Sequence, residues 1–409
     1  MFPLWFAILT CVYLLLVIIT TVYYIIISTK RTELFTDDFL LRKKHEPFVS
    51  IIVPTFNEEK NIETCLSSLK NLNYSRFEII VSDGGSTDDT PFLAEQYTDK
   101  VLVESSVPEG WIGKNYGCHL AAERAQGELL LFTDADTRHT PNSLRIAVSN
   151  LLEKTVDLLT IFPYQKLSRW WESIIPLYYF LSLFVSGGIK KVNDAKNDDN
   201  FVAIGQYLLF TKKGYKQIGG YERIKGSIID DYAFARLVKK ELRSLYYLDC
   251  SKLVYTEMYP DSLSHCWSGL KKFLYAGVKI TPARRIAVTI VMILWTLLAP
   301  LMIMLTSLYS DSWGLFGTIV FSYALLLLEF NLYWQNKGSH RWLTYLFFPV
   351  QMMMFIVLML TSLVESTVIK TTTWKGRKYS PDLSAGLDDF ESPSPSNELF
   401  TAQSQYNQR

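Results

Sequence analysis

Two acidic side chains one residue apart, Asp134 and Asp136, follow an apolar run at residues 129–132. Mg²⁺ and Mn²⁺ prefer oxygen ligands and are usually held by one or two carboxylates together with the phosphates of a substrate. An acid pair at the end of a strand is well placed for that task, and the metal would neutralise a leaving diphosphate. The same pair could also belong to a solvated turn, so its neighbours in the fold decide between the two.

Three further groups of residues could take part in chemistry, and each also has a plain structural interpretation. Asp83 begins the turn-forming run 83–90, which could cap a helix or hydrogen-bond the base of a nucleotide. Lys114 lies at a predicted helix start, where it could be a surface lysine or could meet a phosphate. Asp230 and Asp231 open another predicted helix, either as caps or with one of them as a general base for an acceptor hydroxyl.

The elements that carry these residues alternate between strand and helix. Apolar segments predict strands at residues 48–54, 77–82, 101–103 and 128–133, with helices between them. This alternation predicts an α/β domain with a mainly parallel sheet. Such sheets bind ligands at the carboxyl ends of their strands. Four of the acids fall there, and their convergence favours a metal site: Glu58, Asp83, Asp134 and Asp136.

Composition restricts both the partners and the compartment. The net charge of +1 argues against a nucleic-acid partner. The five cysteines form no CxxC pair, which indicates a reducing compartment with neither a disulfide nor a zinc framework. Hydrophobic residues make up 49% of the chain and charged residues only 20%, which indicates that part of it lies in lipid.

Apolar stretches divide the chain into regions. Residues 1–29 predict an uncleaved transmembrane anchor, because the stretch exceeds about 20 residues and no positive segment precedes it. The basic residues after it predict a cytoplasmic domain at residues 46–285. Residues 286–366 predict a C-terminal transmembrane region of about three helices, and residues 380–409, rich in Ser, Pro, Asn and Gln, predict a disordered tail. A shorter apolar run at 174–189 predicts an interfacial or a substrate-facing helix.

The C-terminal region poses a conflict of orientation. A cytoplasmic domain followed by three spans would put the tail outside the cell. The residues after the last apolar stretch are nevertheless basic, which indicates the inside: Lys370, Lys375, Arg377 and Lys378. Either one late stretch is re-entrant, with the last one and its Pro349 as the candidate, or the charge rule fails here. We expect a stretch that does not span.

Four motifs in this order and spacing resemble the family 2 glycosyltransferases, which have the GT-A fold. The motifs are the strand and loop at 49–59, the run Asp83-Gly84-Gly85-Ser86-Thr87-Asp88, the triplet Asp134-Ala135-Asp136 and the triplet Ile229-Asp230-Asp231. The resemblance covers residues 46–260. It implies that Asp134 and Asp136 hold the metal and that Asp231 is the catalytic base. Asp230 stands where the family has glutamate.

Further motifs resemble a membrane subgroup that glycosylates isoprenoid lipids, including the carotenoid-acid and hopanoid-associated glycosyltransferases. This resemblance extends to about residue 379 and rests on the runs 110–114, 205–207, 219–221, 257–259 and 374–377. Glu257 departs from the pattern, because a basic residue is expected there. The Gln-x-x-Arg-Trp motif of processive polysaccharide synthases is absent, which favours an enzyme that transfers a single sugar.

The resemblance implies an inverting, metal-dependent glycosyltransferase in the cell membrane, with Mg²⁺ or Mn²⁺, a nucleotide-sugar donor (a UDP-sugar is expected) and an isoprenoid-type membrane lipid as acceptor. The residues it implies are Pro54, Glu58, Asp83, Lys114 and Asp134 for the donor, Gln206, Trp374 and Arg377 for the acceptor, Asp134 and Asp136 for the metal, and Asp231 with Asp230 for catalysis. Four alternatives stay open: a polyprenyl phosphate acceptor, a sphingolipid-like acceptor, a polysaccharide synthase and an inactive membrane scaffold.

Overall fold

The structure is a computed structural model that describes residues 4–30, 46–309, 313–339, 348–364, 372–374 and 377–379. The tail predicted at 380–409 lies outside these residues. The strands are β1 Val49–Thr55, β2 Phe77–Asp83, β3 Val101–Val103, β4 Leu129–Phe132, β5 Thr137–His139, β6 Leu158–Ile161, β7 Tyr164–Gln165, β8 Leu208–Thr211, β9 Leu245–Leu248, β10 Val254–Thr256, β11 Thr372–Trp374 and β12 Arg377–Tyr379.

The α-helices cover the sheet and continue into the membrane region. In chain order they are α1 Leu4–Lys30, α2 Ile62–Lys70, α3 Thr90–Glu95, α4 Gly113–Arg124, α5 Ser143–Lys154, α6 Ile175–Val185, α7 Ile189–Val192, α8 Lys212–Gln217, α9 Gly220–Arg223, α10 Asp230–Leu237, α11 Leu263–Ile280, α12 Ala283–Tyr309, α13 Trp313–Trp334 and α14 Phe348–Val364.

The central sheet has seven strands in the order β3-β2-β1-β4-β8-β6-β9. β8 is antiparallel to its neighbours β4 and β6, and every other pair in this sheet is parallel. The predicted α/β domain with a mainly parallel sheet is therefore confirmed. β1 lies inside the sheet between β2 and β4, and its residues are almost all buried, as expected for a strand covered on both faces.

Helices α2 and α4 pack on the sheet by different means. The buried residues of α2 recur at helical spacing: Ile62, Cys65, Leu66 and Leu69. Helix α4 instead presents small residues, and a Cβ added at Gly117 would lie 2.7 Å from Oγ of Ser82 in β2. This close approach holds α4 against β2, so that Lys114 in its first turn lies near the strand ends.

A second sheet has three strands in the order β5-β10-β7. β10 is antiparallel to β5 and parallel to β7. β5 begins directly after Asp136, so its pairing with β10 fixes the direction in which the chain leaves the acid pair. The sequence does not predict this sheet, because its two- and three-residue strands contain polar residues and, unlike Val101–Val103, form no apolar run.

Three helical segments among the described residues are long and apolar enough to cross a membrane: Leu4–Tyr23, Ala283–Thr306 and Trp313–Trp334. Helix α14 has only 17 residues, which span about 25 Å at the usual helical rise. That is less than the roughly 30 Å of a hydrocarbon core. Among the described residues, two of the three C-terminal spans expected from the sequence therefore reach the necessary length.

Helix α1 runs alongside α13 in the same direction. At one end of the pair, Phe6 packs in a cluster with Ile319. At the other end, the hydroxyls of Thr20 and Thr21 donate hydrogen bonds to Oε1 of Glu329, over 2.7 and 2.8 Å. The acidic residue inside the α13 span is thus hydrogen-bonded by the N-terminal helix.

The segment after α13 returns to the α/β domain and docks on it. The backbone N–H of Gln165 donates to the carbonyl of Lys337, and that of Ser339 donates to the carbonyl of Gln165, both over 2.8 Å. The Lys337 ammonium lies 2.5 Å from a carboxylate oxygen of Asp249. The two C-terminal candidate spans therefore leave from and return to the same side of the bundle.

Both ends of α14 contact elements on that side. The ring of Phe348 lies 5.2 Å from the ring of Phe330, near the domain end of α13. Oγ of Ser362 donates to the carbonyl of Lys271 on α11 over 3.0 Å. The backbone of the β11–β12 hairpin also lies against α11. This geometry favours the expectation of a last stretch that does not span.

Candidate active site

A cavity of about 1140 Å³ opens at the carboxyl ends of β1 and β4 and extends to the membrane helices. The loop after β1 and the acids after β4 form one part of its wall. Side chains of α6, α11, α12 and α14 form the other part. The predicted site residues that line it are Pro54, Glu58, Lys114, Asp134, Asp136, Gln206, Asp230 and Asp231. The fold thus brings together residues from distant parts of the sequence.

Lys114 connects the two pairs of acids. Its Nζ lies 2.9 Å from Oδ1 of Asp134 and 3.3 Å from Oδ2 of Asp230. Burial acts to lower the pKa of Lys114, but the two carboxylates outweigh it and raise the pKa well above its usual value. The ammonium is therefore a permanent positive charge between the acid pairs, where it can meet the phosphates of a donor.

Asn115 fastens the start of α4 to the loop that precedes Asp230. Its side-chain amide donates to the carbonyls of Ile224 and Ser227, over 3.1 and 2.9 Å, and only 1% of the residue is exposed. Sequence reasoning missed this residue. The available signal was an amide side chain directly after the run at residues 110–114, and its role is to hold the Lys114 and Asp230 elements together.

The acid pair after β4 fits a divalent ion that binds together with a substrate. No group of three or more His, Cys, Asp or Glu side chains with metal-site geometry occurs among the described residues. Asp134 and Asp136 thus supply two carboxylates, which suffice for Mg²⁺ or Mn²⁺ when phosphates and water complete the shell. The loop that carries them is held by Thr137, whose hydroxyl donates to the Asp134 carbonyl over 2.6 Å.

Asp231 has the environment of a base. Its Oδ2 accepts the backbone N–H of Gly205 over 2.9 Å, and its Oδ1 accepts that of Tyr232 over 2.7 Å. Burial raises the pKa of Asp231 to about 7, the carboxylate of Asp230 adds to the rise, and the Lys114 ammonium opposes it. A carboxylate with a pKa near 7 can accept a proton efficiently at neutral pH, which suits general base catalysis.

Asp83 holds its own loop in this structure. Its Oδ1 accepts the hydroxyls of Thr55 and Ser86, over 2.9 and 2.5 Å, and its Oδ2 accepts the backbone N–H groups of Gly85 and Ser86. Only 1% of the residue is exposed, and Ser82 and Gly84 line the cavity on either side of it. A contact between Asp83 and a nucleotide base stays a prediction, and it would compete with these four hydrogen bonds.

The loop after β1 forms part of the cavity wall, and Pro54 and Glu58, both predicted to bind the donor, line the cavity there. The backbone N–H of Glu58 donates to Oγ1 of Thr90 over 2.8 Å. Asn57 adopts a left-handed conformation with a φ of 53°, and its Oδ1 accepts the backbone N–H of Thr87 over 2.9 Å. The two loops predicted to bind the nucleotide therefore support each other.

Helix α6 supplies cavity residues that the sequence did not single out. Trp170, just before the helix, is 66% exposed, whereas Tyr178 and Tyr179 line the cavity. Burial, with a further contribution from Asp231, raises the pKa of Tyr178, so its phenol stays neutral beside the candidate base. Of the two alternatives for residues 174–189, the structure favours the substrate-facing helix. Two adjacent tyrosines within an apolar run were the available signal.

The predicted acceptor residues divide into two groups. Gln206 is 5% exposed and lines the cavity. Trp374 and Arg377 lie in the β11–β12 hairpin, but their side chains lie outside the part that the structure describes. Glu257 lines the cavity and accepts a hydrogen bond from Ser168, and the ammonium of Lys166 lies 3.9 Å from it. Lys166 thus supplies a positive charge near the position where a basic residue is expected.

Sequence comparison finds one family model that matches residues 50–219, Glycosyl transferase family 2. Among the curated relatives is the 4,4'-diaponeurosporenoate glycosyltransferase of Staphylococcus aureus (strain MRSA252), 24% identical over 336 residues, which are 81% of this chain and 88% of that protein. The protein of the same name from Staphylococcus haemolyticus (strain JCSC1435) is 23% identical over 342 residues, with the same coverage of 81% and 88%.

Solved structures with a similar chain course include the mannosyltransferase PcManGT from Pyrobaculum calidifontis in complex with GDP-Man and Mn²⁺. Its TM-score is 0.48 at 16% identity, over 89% of this chain and 99% of that one. Another is S. aureus TarS 1–349 in complex with UDP-GlcNAc, with a TM-score of 0.38 at 16% identity, over 85% of this chain and 98% of that one.

Proposed function

We propose that this chain, a glycosyltransferase that uses a nucleotide sugar and carries a Glycosyl transferase family 2 domain, transfers the sugar, with inversion, to the polar end of a membrane lipid. The acceptor we propose is an isoprenoid or carotenoid-type lipid, in line with the named activity of the staphylococcal relatives. The donor we propose is a UDP-sugar.

One observation carries the proposal. The cavity that contains the acids of the strand ends also has walls from α12 and α14, which belong to the apolar C-terminal region. A soluble acceptor would not need walls of this kind. A lipid acceptor does, because its apolar chain must stay in an apolar environment while its polar end reaches Asp231.

Asp231 takes the proton from the acceptor oxygen in the mechanism that we propose. That oxygen then attacks the anomeric carbon from the face opposite the diphosphate. The carbon–oxygen bond to the diphosphate breaks, and its electron pair leaves with the nucleoside diphosphate. Lys114, between Asp134 and Asp230, offers its positive charge to the leaving group. A divalent ion, Mg²⁺ or Mn²⁺, held by Asp134 and Asp136 would neutralise the charge that develops there.

The setting we propose for this reaction is the cytoplasmic face of the cell membrane. Basic residues follow the first span directly, at positions 30, 31 and 42–44, and such residues mark the cytoplasmic side. The docked segment 335–339 supports the same side for the end of α13. The site would then lie near the bilayer surface, within reach of a lipid head group.

A second acceptor class, a polyprenyl phosphate, is favoured by one observation. Three arginines line the cavity, Arg236, Arg284 and Arg285, and guanidinium groups bind phosphate well. A carboxylate acceptor would profit from the same charges. The two classes differ in their product, since a phosphate acceptor yields a glycosyl phosphate and a carboxylate acceptor yields a glycosyl ester.

Membranes from cells that produce the full chain, or its D231N variant, test the proposal. We expect the active membranes to incorporate label from a UDP-sugar into a lipid fraction in the presence of Mn²⁺. Mass spectrometry should then find a terpenoid lipid that gains one hexose mass. A glycosyl phosphate product would show that the acceptor is a polyprenyl phosphate and not a carotenoid-type lipid. An unchanged lipid pool with altered polysaccharide would overturn the lipid acceptor, and failure to bind any nucleotide sugar would favour the inactive scaffold.

A further inference from the structure

We infer that the acceptor threads its apolar chain into an internal arm of the cavity, and that Phe355 and Met359 of α14 set the chain length that the enzyme accepts. The arm is defined by Leu270, Phe273, Leu274, Thr289, Phe355 and Met359, all of which line the cavity. The inference rests on the proposed lipid acceptor. It adds where the apolar chain of that lipid lies and which residues limit its length.

The arm lies in the interior of the molecule, where its wall residues are largely buried. Leu270, Leu274 and Phe355 are 1%, 9% and 2% exposed, yet each lines the cavity. Most of their surface is therefore packed against protein, and only a small part of each faces the cavity. Thr289, on the first turns of α12, is also only 9% exposed. An apolar chain in this space would lie against these largely apolar side chains and would itself be removed from water.

Helix α14 has two distinct faces. Phe355 and Met359, four residues apart, lie one above the other on the face that lines the cavity. On the opposite face Met353, Val357 and Leu360 are 54%, 46% and 57% exposed. The helix therefore separates the internal arm from the surroundings. Its outer face offers control positions on the same element.

The arm begins beside the reacting groups. The ring of Tyr178 lies 6.3 Å from the ring of Phe273, a wall residue of the arm. Tyr178 is also close enough to Asp231 for that carboxylate to act on its pKa. A lipid whose terminal oxygen lies at Asp231 would thus have its first carbons near Tyr178 and Phe273, and the rest of its chain would point towards α14.

The chemistry of the wall suits a hydrocarbon chain with one terminal oxygen. Aromatic and branched aliphatic side chains dominate the arm, and Thr289 adds a single hydroxyl. Each methylene that is buried contributes about 0.8 kcal/mol, which corresponds to about a factor of four in affinity. We therefore expect kcat/KM to rise steeply as the acceptor chain is lengthened until it fills the arm. Acceptors with still longer chains should show no further increase.

The experiment uses the full chain in nanodiscs, a UDP-sugar that the wild type accepts, and a ladder of polyprenyl alcohols and polyprenyl acids that differ only in the number of isoprene units. Met359→Trp shortens the arm, and Phe355→Leu leaves space at its end. Val357→Trp, on the exposed face of the same helix, is the matched control. The readout is kcat/KM for every acceptor in the ladder.

We expect Met359→Trp to lower kcat/KM at least about tenfold for the longest acceptors and to leave the shortest ones within about twofold. Phe355→Leu should move the optimum to a longer chain. Val357→Trp should leave the ladder unchanged. Equal losses at all lengths for Met359→Trp together with an unchanged optimum for Phe355→Leu would overturn the inference. If kcat/KM of the wild type does not depend on chain length, or if the wild type glycosylates only water-soluble acceptors, the proposed lipid acceptor is contradicted.

Discussion

The ammonium of Lys114 lies 2.9 Å from Oδ1 of Asp134. This ion pair links the candidate metal site to the first turn of α4, which carries Lys114. The same ammonium lies 3.3 Å from Oδ2 of Asp230, at the start of α10. A single side chain thus balances acids from two distant parts of the sequence.

Replacement of Lys114 by methionine should lower kcat/KM about 10²-fold, because the leaving diphosphate loses a preorganised positive charge. Steady-state kinetics with a UDP-sugar and membrane-embedded enzyme measure this. Lys114→Arg should recover part of the loss, since the charge is retained. Lys216→Met, at an exposed position of α8, is the control. Unchanged kinetics in Lys114→Met would show that the lysine has no part in donor use.

Activity should depend on pH through Asp231, whose pKa is raised to about 7. The base must be ionised to accept a proton, so kcat/KM should rise as the pH increases through about 7 and level off above it. Burial is the main cause of this raised pKa, the carboxylate of Asp230 adds to it, and the Lys114 ammonium opposes it. Asp231→Asn should lower kcat about 10²- to 10⁴-fold and remove the pH-dependent limb, while donor affinity is kept. Retention of full transfer by this variant would exclude Asp231 as the base.

The same raised pKa predicts an effect on stability. The folded state binds a proton at Asp231 more tightly than the unfolded state, whose carboxyl has its ordinary pKa of about 3.9. Asp231 therefore contributes stability below about pH 4 that is lost as the pH rises through about 7. Asp231→Asn should raise Tm relative to the wild type at pH 8 but not at pH 4. Equal shifts at both pH values would contradict the raised pKa.

Removal of divalent metal should abolish transfer, and Mn²⁺ or Mg²⁺ should restore it. Asp134→Asn and Asp136→Asn should each lower kcat/KM about 10²-fold or more, because one of only two carboxylate ligands is lost. Mn²⁺ binding followed by electron paramagnetic resonance, with and without UDP, gives a readout besides activity. Asp99→Asn, an exposed acid, serves as control. Tight Mn²⁺ binding without UDP in the wild type would contradict a site completed by the diphosphate.

Asp83 could either stabilise its own loop or recognise the base of the nucleotide, and a variant distinguishes the two roles. Its carboxylate accepts four hydrogen bonds within the loop, so Asp83→Ala should lower the free energy of unfolding by roughly 2–4 kcal/mol. We expect the KM values for UDP- and GDP-sugars to rise together. A change in base preference at unchanged Tm would instead support a direct contact between Asp83 and the base.

The pairing of α1 with α13 can be tested apart from catalysis. Thr20 and Thr21 donate to Glu329, and hydrogen bonds between membrane helices contribute about 0.5–1.5 kcal/mol each. The double variant Thr20→Val and Thr21→Val should therefore lower Tm in detergent while kcat/KM at low temperature stays unchanged. A Tm equal to that of the wild type would mean that these bonds do not hold α1 in place.

The sequence predicted the parts of the fold that depend on local pattern. The buried strands around Val49–Thr55 and Leu129–Phe132 were recognisable from their apolar runs, and their order along the chain indicated where the acids would meet. The antiparallel β8 and the pairing of β5 with β10 were not predictable, because they join short segments far apart in sequence.

The site shows the same division. Asp134, Asp136 and Asp231 were recognisable as acids at element ends, and the cavity brings them together. The hydrogen bonds of Asp83 and the contribution of α14 to the cavity wall were not recognisable from the sequence. For α14 the reason is that an apolar run has the same pattern whether its side chains face lipid or an internal space. Only the packing of α14 against α11 distinguishes Phe355 from Val357.

The docked segment at residues 335–339 has a consequence for how the rate of this enzyme should be expressed. The Lys337–Asp249 ion pair and the backbone bonds to Gln165 attach the end of α13 to the α/β domain. With α13 in the bilayer, as we propose, these contacts would keep the domain at the membrane surface, and we expect it to take its acceptor from the leaflet and not from solution. The turnover rate should then depend on the mole fraction of acceptor in the leaflet. Dilution of the acceptor with inert phospholipid should slow turnover even when the bulk molarity of the acceptor is constant.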